Sequence, residues 1–139
     1  MSLVQDLDVG TTLPPLVRTM DLVSMVAYAG ATWDWHRMHY DREYVEATGF
    51  DAPVVDGQVF GAIMAEHLQD ELGPTVRLAT LAFRFRSMVF AGDTIRCDAT
   101  CTALGDGVAD FELTITATRP DGADERVAVT GTASVRIPA

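Results

Sequence analysis

One long helical pattern constrains the fold of this chain more than any other feature. It opens after Asp56-Gly57 and stops at Gly73-Pro74. Its large apolar residues recur at spacings of three and four, so they line one side of a helix; they are Val59, Phe60, Ile63, Met64 and Leu68. The small residues between them permit close approach of another backbone; they are Gly61, Ala62 and Ala65. The pattern predicts a helix wrapped tightly by a sheet. His67 is expected on the surface of that helix.

The residues after 74 change to a β pattern. Apolar and polar side chains alternate over residues 81–86, which is typical of a strand with one apolar face. Turn signals follow at Gly92-Asp93, Gly105-Asp106-Gly107 and Pro120-Asp121-Gly122. They divide this half of the chain into four antiparallel strands, and such a sheet must bury one face. The sequence therefore predicts an α+β fold, a single domain over residues 1–139 whose antiparallel sheet wraps around a long central helix.

The first half of the chain supplies an extended segment and shorter helices. Leu13-Pro14-Pro15-Leu16 is predicted to be extended, because proline fixes its own φ and restricts the residue before it. A helical period begins at Asp21, which suits an N-cap, and Gly30 is where that helix could end. A polar and aromatic segment follows, and Asp41 is then predicted to cap a short helix over residues 42–48.

The charge and the cysteines exclude several classes of function. The formal net charge is −10 and all 10 basic residues are arginines, whereas a nucleic-acid partner requires a basic face. No apolar run approaches the roughly 18 residues of a membrane span, and the N-terminus lacks a signal-peptide pattern, so we predict a cytoplasmic protein without a membrane partner. Cys97 and Cys101 are predicted to be buried thiols, and no metal site is expected.

Asp34 and His39 form the most informative constellation, with Gly57 at the start of the long helix. Their spacing of five does not place them on one face of a regular helix, but a loop can turn both into one pocket. An imidazole and a carboxylate on one water can carry the proton transfers that hydrate a 2-enoyl thioester. A backbone N–H at a helix N-terminus can stabilise the enolate-like oxygen. From these residues alone, a capping aspartate and a surface histidine remain the alternative.

Three stretches of the chain carry a family resemblance. They are Asp34-Trp35-His36-Arg37-Met38-His39, then Glu46-Ala47-Thr48-Gly49-Phe50 ahead of the Gly57 helix, and a strand that ends in Gly92-Asp93-Thr94. Together they resemble the signature of MaoC-like (R)-specific enoyl-CoA hydratases and 3-hydroxyacyl-thioester dehydratases. The likeness extends over about residues 20–135.

The resemblance implies a hot-dog fold and the reversible hydration of 2-enoyl thioesters to (R)-3-hydroxyacyl thioesters. Asp34 and His39 would hold the water, and the Gly57 N–H would be the oxyanion donor. The motif does not say which of the pair is the base; we expect His39 as base and Asp34 as the group that returns a proton to the α carbon. The substrate would be a coenzyme A or acyl-carrier-protein thioester, with no cofactor beyond that coenzyme A. Hot-dog proteins of this type pair their sheets, so a homodimer or a heterodimer with another hot-dog subunit is expected.

Three positions depart from the family pattern. His36-Arg37 stands where Asn-Pro is usual, Asp56 replaces a common histidine, and Met88 replaces a frequent proline. The first two flank the chemistry. Two alternatives to hydration stay open. One is a non-catalytic MaoC-like subunit that completes the acyl pocket of an active partner. The other is a hot-dog thioesterase that hydrolyses an acyl-CoA with a carboxylate-activated water.

Further side chains are candidates for substrate binding. Aromatic residues of the loop could line an acyl pocket or pack the loop against the body of the protein. Arginines of the first long strand could bind coenzyme A phosphates or be ordinary solvated side chains. The candidates are Trp33, Trp35, His36, Tyr40, Phe60, Arg84 and Arg86.

Overall fold

An antiparallel sheet of five strands wraps around one long helix in the computed structural model, which describes residues 3–138. The strands are β1 (Leu16–Thr19), β2 (Arg77–Phe85), β3 (Thr94–Gly105), β4 (Val108–Thr118) and β5 (Arg126–Arg136), in the order β1-β3-β4-β5-β2. The helices are α1 (Leu22–Thr32), α2 (Arg42–Ala47) and α3 (Gln58–Leu72), with 3₁₀ turns at Leu3–Asp6 and Arg37–His39. The predicted α+β architecture is confirmed, and an extra short strand, β1, follows the prolines. Among the described residues, no helix has the length and apolarity needed to cross a membrane.

The core lies between α3 and the inner face of β3, β4 and β5. Burial alternates along β3, where Cys97 and Cys101 are both buried free thiols, as predicted. Glycine brings helix and sheet together at β5, because a Cβ on Gly131 would lie 2.9 Å from the sulfur of Met64. Removing this apolar surface from water is the main force that holds the helix inside the sheet.

β2 is an edge strand and is the exception to this burial. It pairs with β5 alone among the described strands, and none of its 9 residues is buried. Phe83 and Phe85 turn towards α3, where their rings contact Gly61 and Gly57, yet the two residues remain 37% and 57% exposed. The apolar face predicted for this strand is present, but the rest of this chain buries it only in part.

The prediction that His67 lies on the surface of α3 is wrong. The residue is 1% exposed, with Nε2 2.7 Å from the Pro14 carbonyl oxygen and Nδ1 3.3 Å from the Cys97 sulfur. Because a carbonyl only accepts, Nε2 carries the proton and Nδ1 accepts from the thiol. His67 stands four residues after Ile63 and three after Met64, which places it on the buried side of the helix.

α1 continues beyond Gly30, where the sequence suggested its end. Gly30 lies inside the helix beside the ring of Trp35, and a Cβ there would be 3.6 Å from that ring, an ordinary van der Waals contact. The helix ends at Trp33, whose φ of 58° is left-handed and whose N–H donates to the Ala29 carbonyl. This ending turns the chain away from the helix axis at Asp34. The predicted Asp41 cap on α2 is confirmed.

Candidate active site

The loop between α1 and α2 is held by its own side chains. Asp34 Oδ1 accepts a hydrogen bond from the backbone N–H of His36 at 3.2 Å. His36 Nδ1 in turn accepts from the backbone N–H of Met38 at 3.1 Å and so caps the 3₁₀ turn that ends at His39. Each side chain satisfies a backbone donor two residues further on, so the loop is restrained without a proline.

His39 is oriented by a backbone carbonyl and faces Asp34. Its Nδ1 lies 2.7 Å from the Val54 oxygen, so Nδ1 carries the proton and leaves a lone pair on Nε2. Nε2 lies 3.9 Å from Asp34 Oδ2, and the His39 side chain is only 12% exposed. That distance is too long for a direct hydrogen bond, but one oxygen placed between the two atoms can bond to both.

Gly57 caps the N-terminus of α3 and lies against the ring of Phe85. A Cβ at this position would come within 2.5 Å of that ring, so only glycine fits the present packing. The Gly57 N–H makes no hydrogen bond within residues 3–138. It stands at the positive end of a 15-residue helix and can bind a developing negative charge.

Two cavities meet at His39. The first has a volume of about 300 Å³ and lies between α1, β1 and α3, with Asp34, His39 and Asp56 in its wall. Its apolar lining consists of Met20, Met25, Ala29, Val55, Val59 and Ile63. The second is a more open groove of about 370 Å³ on the side of His39 where Gly57 lies. A chain-like ligand can therefore pass from the Gly57 groove over His39 into the apolar cavity.

The loop residues predicted to bind substrate stand apart from both cavities. Trp35 packs edge-on against Tyr40 at a ring-centroid distance of 6.1 Å, and the Tyr40 hydroxyl donates to the Trp35 carbonyl. Trp33 is 80% exposed, and His36 serves as the cap described above. None of these four residues lines either cavity within residues 3–138, and their contact with substrate stays a prediction.

The remaining candidates lie nearer to the groove. Phe60 and Arg86 line it beside Gly57. Arg84 and Arg86 also border an open depression on the sheet, where Arg86 Nε donates to Thr130 Oγ1 at 3.0 Å. Arg86 is thus the arginine placed to meet a charged group that leaves the groove, and its role also stays a prediction.

Sequence reasoning missed the wall of the cavity that α1 supplies. Ser24, Met25 and Tyr28 lie towards one side of this helix, because Tyr28 follows Ser24 by four residues and Met25 by three. Burial, and secondarily the charge of Asp56, raises the pKa of the Tyr28 hydroxyl, which therefore remains a neutral donor. In the sequence, a serine and a tyrosine interrupt the apolar pattern of this helix, and that interruption is the signal that could have identified the cavity wall.

Asp56 also lies close to Asp34 and His39 in space. Asp34, His39 and Asp56 each place one nitrogen or carboxylate oxygen within 4.8 Å of the others. In the described part of the chain this is the group whose spacing could hold a metal ion, and one nitrogen with carboxylate oxygens suits a divalent cation. The expectation that the protein uses no metal stays a prediction.

Comparisons with known proteins point to hydratases. An (R)-specific enoyl-CoA hydratase from Aeromonas caviae is 27% identical over 135 residues, which cover 96% of this chain and 98% of that protein. A 3-oxo-4,17-pregnadiene-20-carboxyl-CoA hydratase beta subunit from Mycobacterium tuberculosis is 27% identical over 105 residues, covering 76% of this chain and 81% of the relative.

Solved structures and a family model agree with that similarity. The (R)-hydratase from A. caviae involved in PHA biosynthesis superposes with a TM-score of 0.82 at 28% identity, covering 96% of this chain and 99% of the other. The ChsH1-ChsH2 complex from M. tuberculosis gives a TM-score of 0.80 at 24% identity, over 94% and 98% of the two chains, and shows the fold alone. The hot-dog fold is thereby confirmed. The family model described as a MaoC like domain matches residues 9–123, and this chain belongs to the MaoC-like family.

Proposed function

We propose that this chain catalyses the reversible addition of water to 2-enoyl thioesters, giving (R)-3-hydroxyacyl thioesters. The supporting observation is the position of His39, whose Nε2 faces Asp34 at 3.9 Å where the apolar cavity meets the Gly57 groove. The coenzyme A thioester and the R configuration are proposed by similarity to the relatives, one of which is an (R)-specific enoyl-CoA hydratase.

The two cavities suggest how the substrate lies. The thioester oxygen accepts a hydrogen bond from the Gly57 N–H in the groove, and the acyl chain enters the apolar cavity beyond His39. This placement brings the α and β carbons to the water between His39 and Asp34. Arg86 lines the groove on the side where the coenzyme A would leave, and its guanidinium can bind phosphate. Coenzyme A is then part of the substrate, and no further cofactor is needed.

The proton balance of the reaction fits these groups. His39 Nε2 takes one proton from the water as the water oxygen bonds to the β carbon. The electron pair of the double bond moves towards the thioester oxygen, where the Gly57 N–H and the helix N-terminus stabilise it. The proton held by His39 then passes through the oxygen of the new hydroxyl to Asp34, and Asp34 delivers it to the α carbon. One water is consumed, and both side chains return to their initial state. Dehydration is the same sequence in reverse.

The volume of the cavity bears on the acyl chain. At about 300 Å³, it lies at the lower end of the range of roughly 300–1,000 Å³ that ligand pockets occupy. A single chain is therefore suited to a short acyl group. A bulky group such as the one named for the mycobacterial relative would require space contributed by a second subunit.

We infer that a second hot-dog subunit pairs with the free edge of β2. This strand offers 9 residues with no buried side chain, and an exposed edge of that length is a template for another strand. Its phenylalanines contact Gly57 and Gly61, so a partner there would cover the groove as well as the edge. A structural neighbour was solved as a complex of ChsH1 and ChsH2, which supports a partner subunit for this chain; the partner proposed is a second copy or another hot-dog subunit.

The first test is hydration of crotonyl-CoA, followed by the loss of its conjugated absorbance. We expect Asp34→Asn and His39→Ala each to lower kcat/KM by roughly a hundredfold or more. Asp98→Asn is the matched control, because Asp98 lies on β3 beside Arg96 and faces away from α3. The oligomeric state of every variant is measured by native mass spectrometry.

Each alternative has its own outcome in this assay. Release of free thiol without hydration would establish the thioesterase instead. A folded, dimeric parent that hydrates neither crotonyl-CoA nor longer enoyl thioesters would indicate a non-catalytic subunit. Parent activity that survives both Asp34→Asn and His39→Ala would refute the acid/base pair while leaving hydration intact.

A further inference from the structure

Asp56 is the last residue before Gly57, yet its side chain belongs to the other cavity. Its carboxylate lines the apolar cavity with Asp34 and His39. One oxygen, Oδ1, accepts the backbone N–H of Gln58 at 3.0 Å and so holds the carboxylate at the start of α3. A neighbouring peptide therefore fixes Asp56 in place, and its remaining lone pairs are available to a ligand.

The catalytic water does not need Asp56. One nitrogen or carboxylate oxygen from each of Asp34, His39 and Asp56 lies within 4.8 Å of the other two. A water oxygen at the centre of these three atoms is therefore at most about 2.8 Å from each of them, which is a hydrogen-bonding distance. All three groups are acceptors, because Nδ1 of His39 already carries the ring proton. A water has two protons to donate, and His39 and Asp34 use both. Asp56 is left as a surplus acceptor beside the reacting carbons.

The charge of the cavity wall is also negative at this point. The cavity contains one arginine in its wall, Arg18, and both terminal nitrogens of Arg18 are bound to Glu66, at 2.9 and 2.8 Å. This ion pair neutralises Arg18. Tyr28 adds a neutral hydroxyl. An acyl group that enters the cavity therefore meets the carboxylates of Asp34 and Asp56 without a free cation to balance them.

We propose that Asp56 determines acyl selectivity in the hydration reaction proposed above, on which this inference rests. Asp56 accepts a hydrogen bond from an acyl group that carries a hydroxyl on the carbon next to the β carbon. It repels an acyl group that carries a carboxylate there. The substrate class is thus a short 2-enoyl thioester with a neutral chain, preferably hydroxylated at the γ position.

Three four-carbon thioesters test this directly. They are crotonyl-CoA, 4-hydroxycrotonyl-CoA and the mono-CoA thioester of fumaric acid, which differ only in the γ group: a methyl, a hydroxymethyl or a carboxylate. The kcat/KM of each is measured by mass spectrometry of the hydrated product, with the parent, Asp56→Asn and Asp98→Asn. Asparagine can still accept the Gln58 N–H, so the helix cap is retained. Asp98→Asn makes the same change in net charge on the other side of the sheet.

The quantity to compare is the ratio of kcat/KM for the carboxylate thioester to kcat/KM for crotonyl-CoA, measured for each enzyme. The intrinsic reactivities of the two thioesters affect this ratio equally in the parent and the variants, so a difference between enzymes reports the substitution. We expect this ratio to rise about tenfold or more in Asp56→Asn, since one like charge at close range is removed, and the preference for the hydroxylated thioester to shrink. Asp98→Asn should match the parent. Unchanged ratios in Asp56→Asn would overturn the role of Asp56, as would an equal rise in Asp98→Asn. Failure of the parent to hydrate any of the three would instead count against the proposed function.

Discussion

Asp93 is the most consequential buried charge in the described structure, and its removal should destabilise the fold. It is 0% exposed and immediately precedes β3. Oδ1 accepts from Arg119, and Oδ2 accepts from Arg126 at 2.7 Å and from the Phe90 N–H at 3.0 Å. The aspartate of the Gly-Asp-Thr motif thereby links the start of β3 to the end of β4 and the start of β5. The perturbation we choose is Asp93→Asn, which keeps the shape and removes the charge.

The expected loss of stability depends on the hydrogen bonds and hydration that Arg119 and Arg126 keep after Asp93 loses its charge. Breaking a buried ion pair from one side costs about 3–5 kcal/mol, because a charge is left without its partner. Arg126 is 16% exposed but keeps a hydrogen bond to the Met88 carbonyl at 2.8 Å, and Arg119 is 26% exposed and keeps some hydration. Both features reduce the penalty, so we expect about 3 kcal/mol, the lower end of that range.

Urea unfolding followed by circular dichroism measures this change. A loss of that size should also lower Tm by roughly 10 °C in a chain of this length. Asp98→Asn is again the control, because Asp98 and Arg96 form an exposed pair on the outer face of β3 and such pairs contribute little. If Asp93→Asn unfolds within about 1 kcal/mol of the parent, the buried cluster is not the structural link inferred here.

Two further predictions concern the core. Burial raises the pKa of the Cys97 thiol to about 12 from an ordinary value of 9.0, so this cysteine should resist iodoacetamide at about pH 8 until the protein unfolds. The thiol loses its proton at lower pH in the unfolded chain than in the folded protein, so the free energy of unfolding should fall as pH rises from 9.0 towards about 12. Urea unfolding at several pH values should show that this free energy falls less steeply with pH in Cys97→Ala than in the parent. A Cβ on Gly61 would lie 2.6 Å from the Phe83 ring. Gly61→Ala should therefore destabilise the parent protein more than it destabilises the Phe83→Leu variant, in which that ring is absent. A double-mutant cycle should give a coupling energy of about 0.5 kcal/mol or more.

The helix and sheet could be predicted because their periodicity records burial directly. The alternation along β3 and β4 and the spacing of three and four along α3 each correspond to one side packed in the core. The error at His67 shows the limit of this reasoning. Its position in the period was on the buried side, but its polarity argued for the surface. Only the folded chain brings the Pro14 carbonyl and the Cys97 thiol to its ring.

The site could be predicted only in part, because its geometry depends on contacts between distant segments. The choice of Asp34 and His39 came from a resemblance, whereas their separation depends on the left-handed residue Trp33 and on the cap formed by His36. The cavity beside them is assembled from α1, β1 and α3, and no local pattern reports that assembly. The exposure of β2 depends on which other elements pack against it, and the sequence of the strand does not report that packing.

In the proposed reaction, the Asp56–Gly57 dipeptide would let one local change alter selectivity without altering the chemistry. The side chain of Asp56 lines the acyl cavity, whereas Gly57 lines the groove. The proposed oxyanion donor is the backbone N–H of Gly57, so it is independent of the side chain that precedes it. The capping bond to Gln58 holds Asp56 through Oδ1, and any residue that can accept that bond preserves the helix start. On the proposed mechanism, a carboxylate at position 56 can therefore select the acyl group while Asp34, His39 and the Gly57 N–H carry out the hydration.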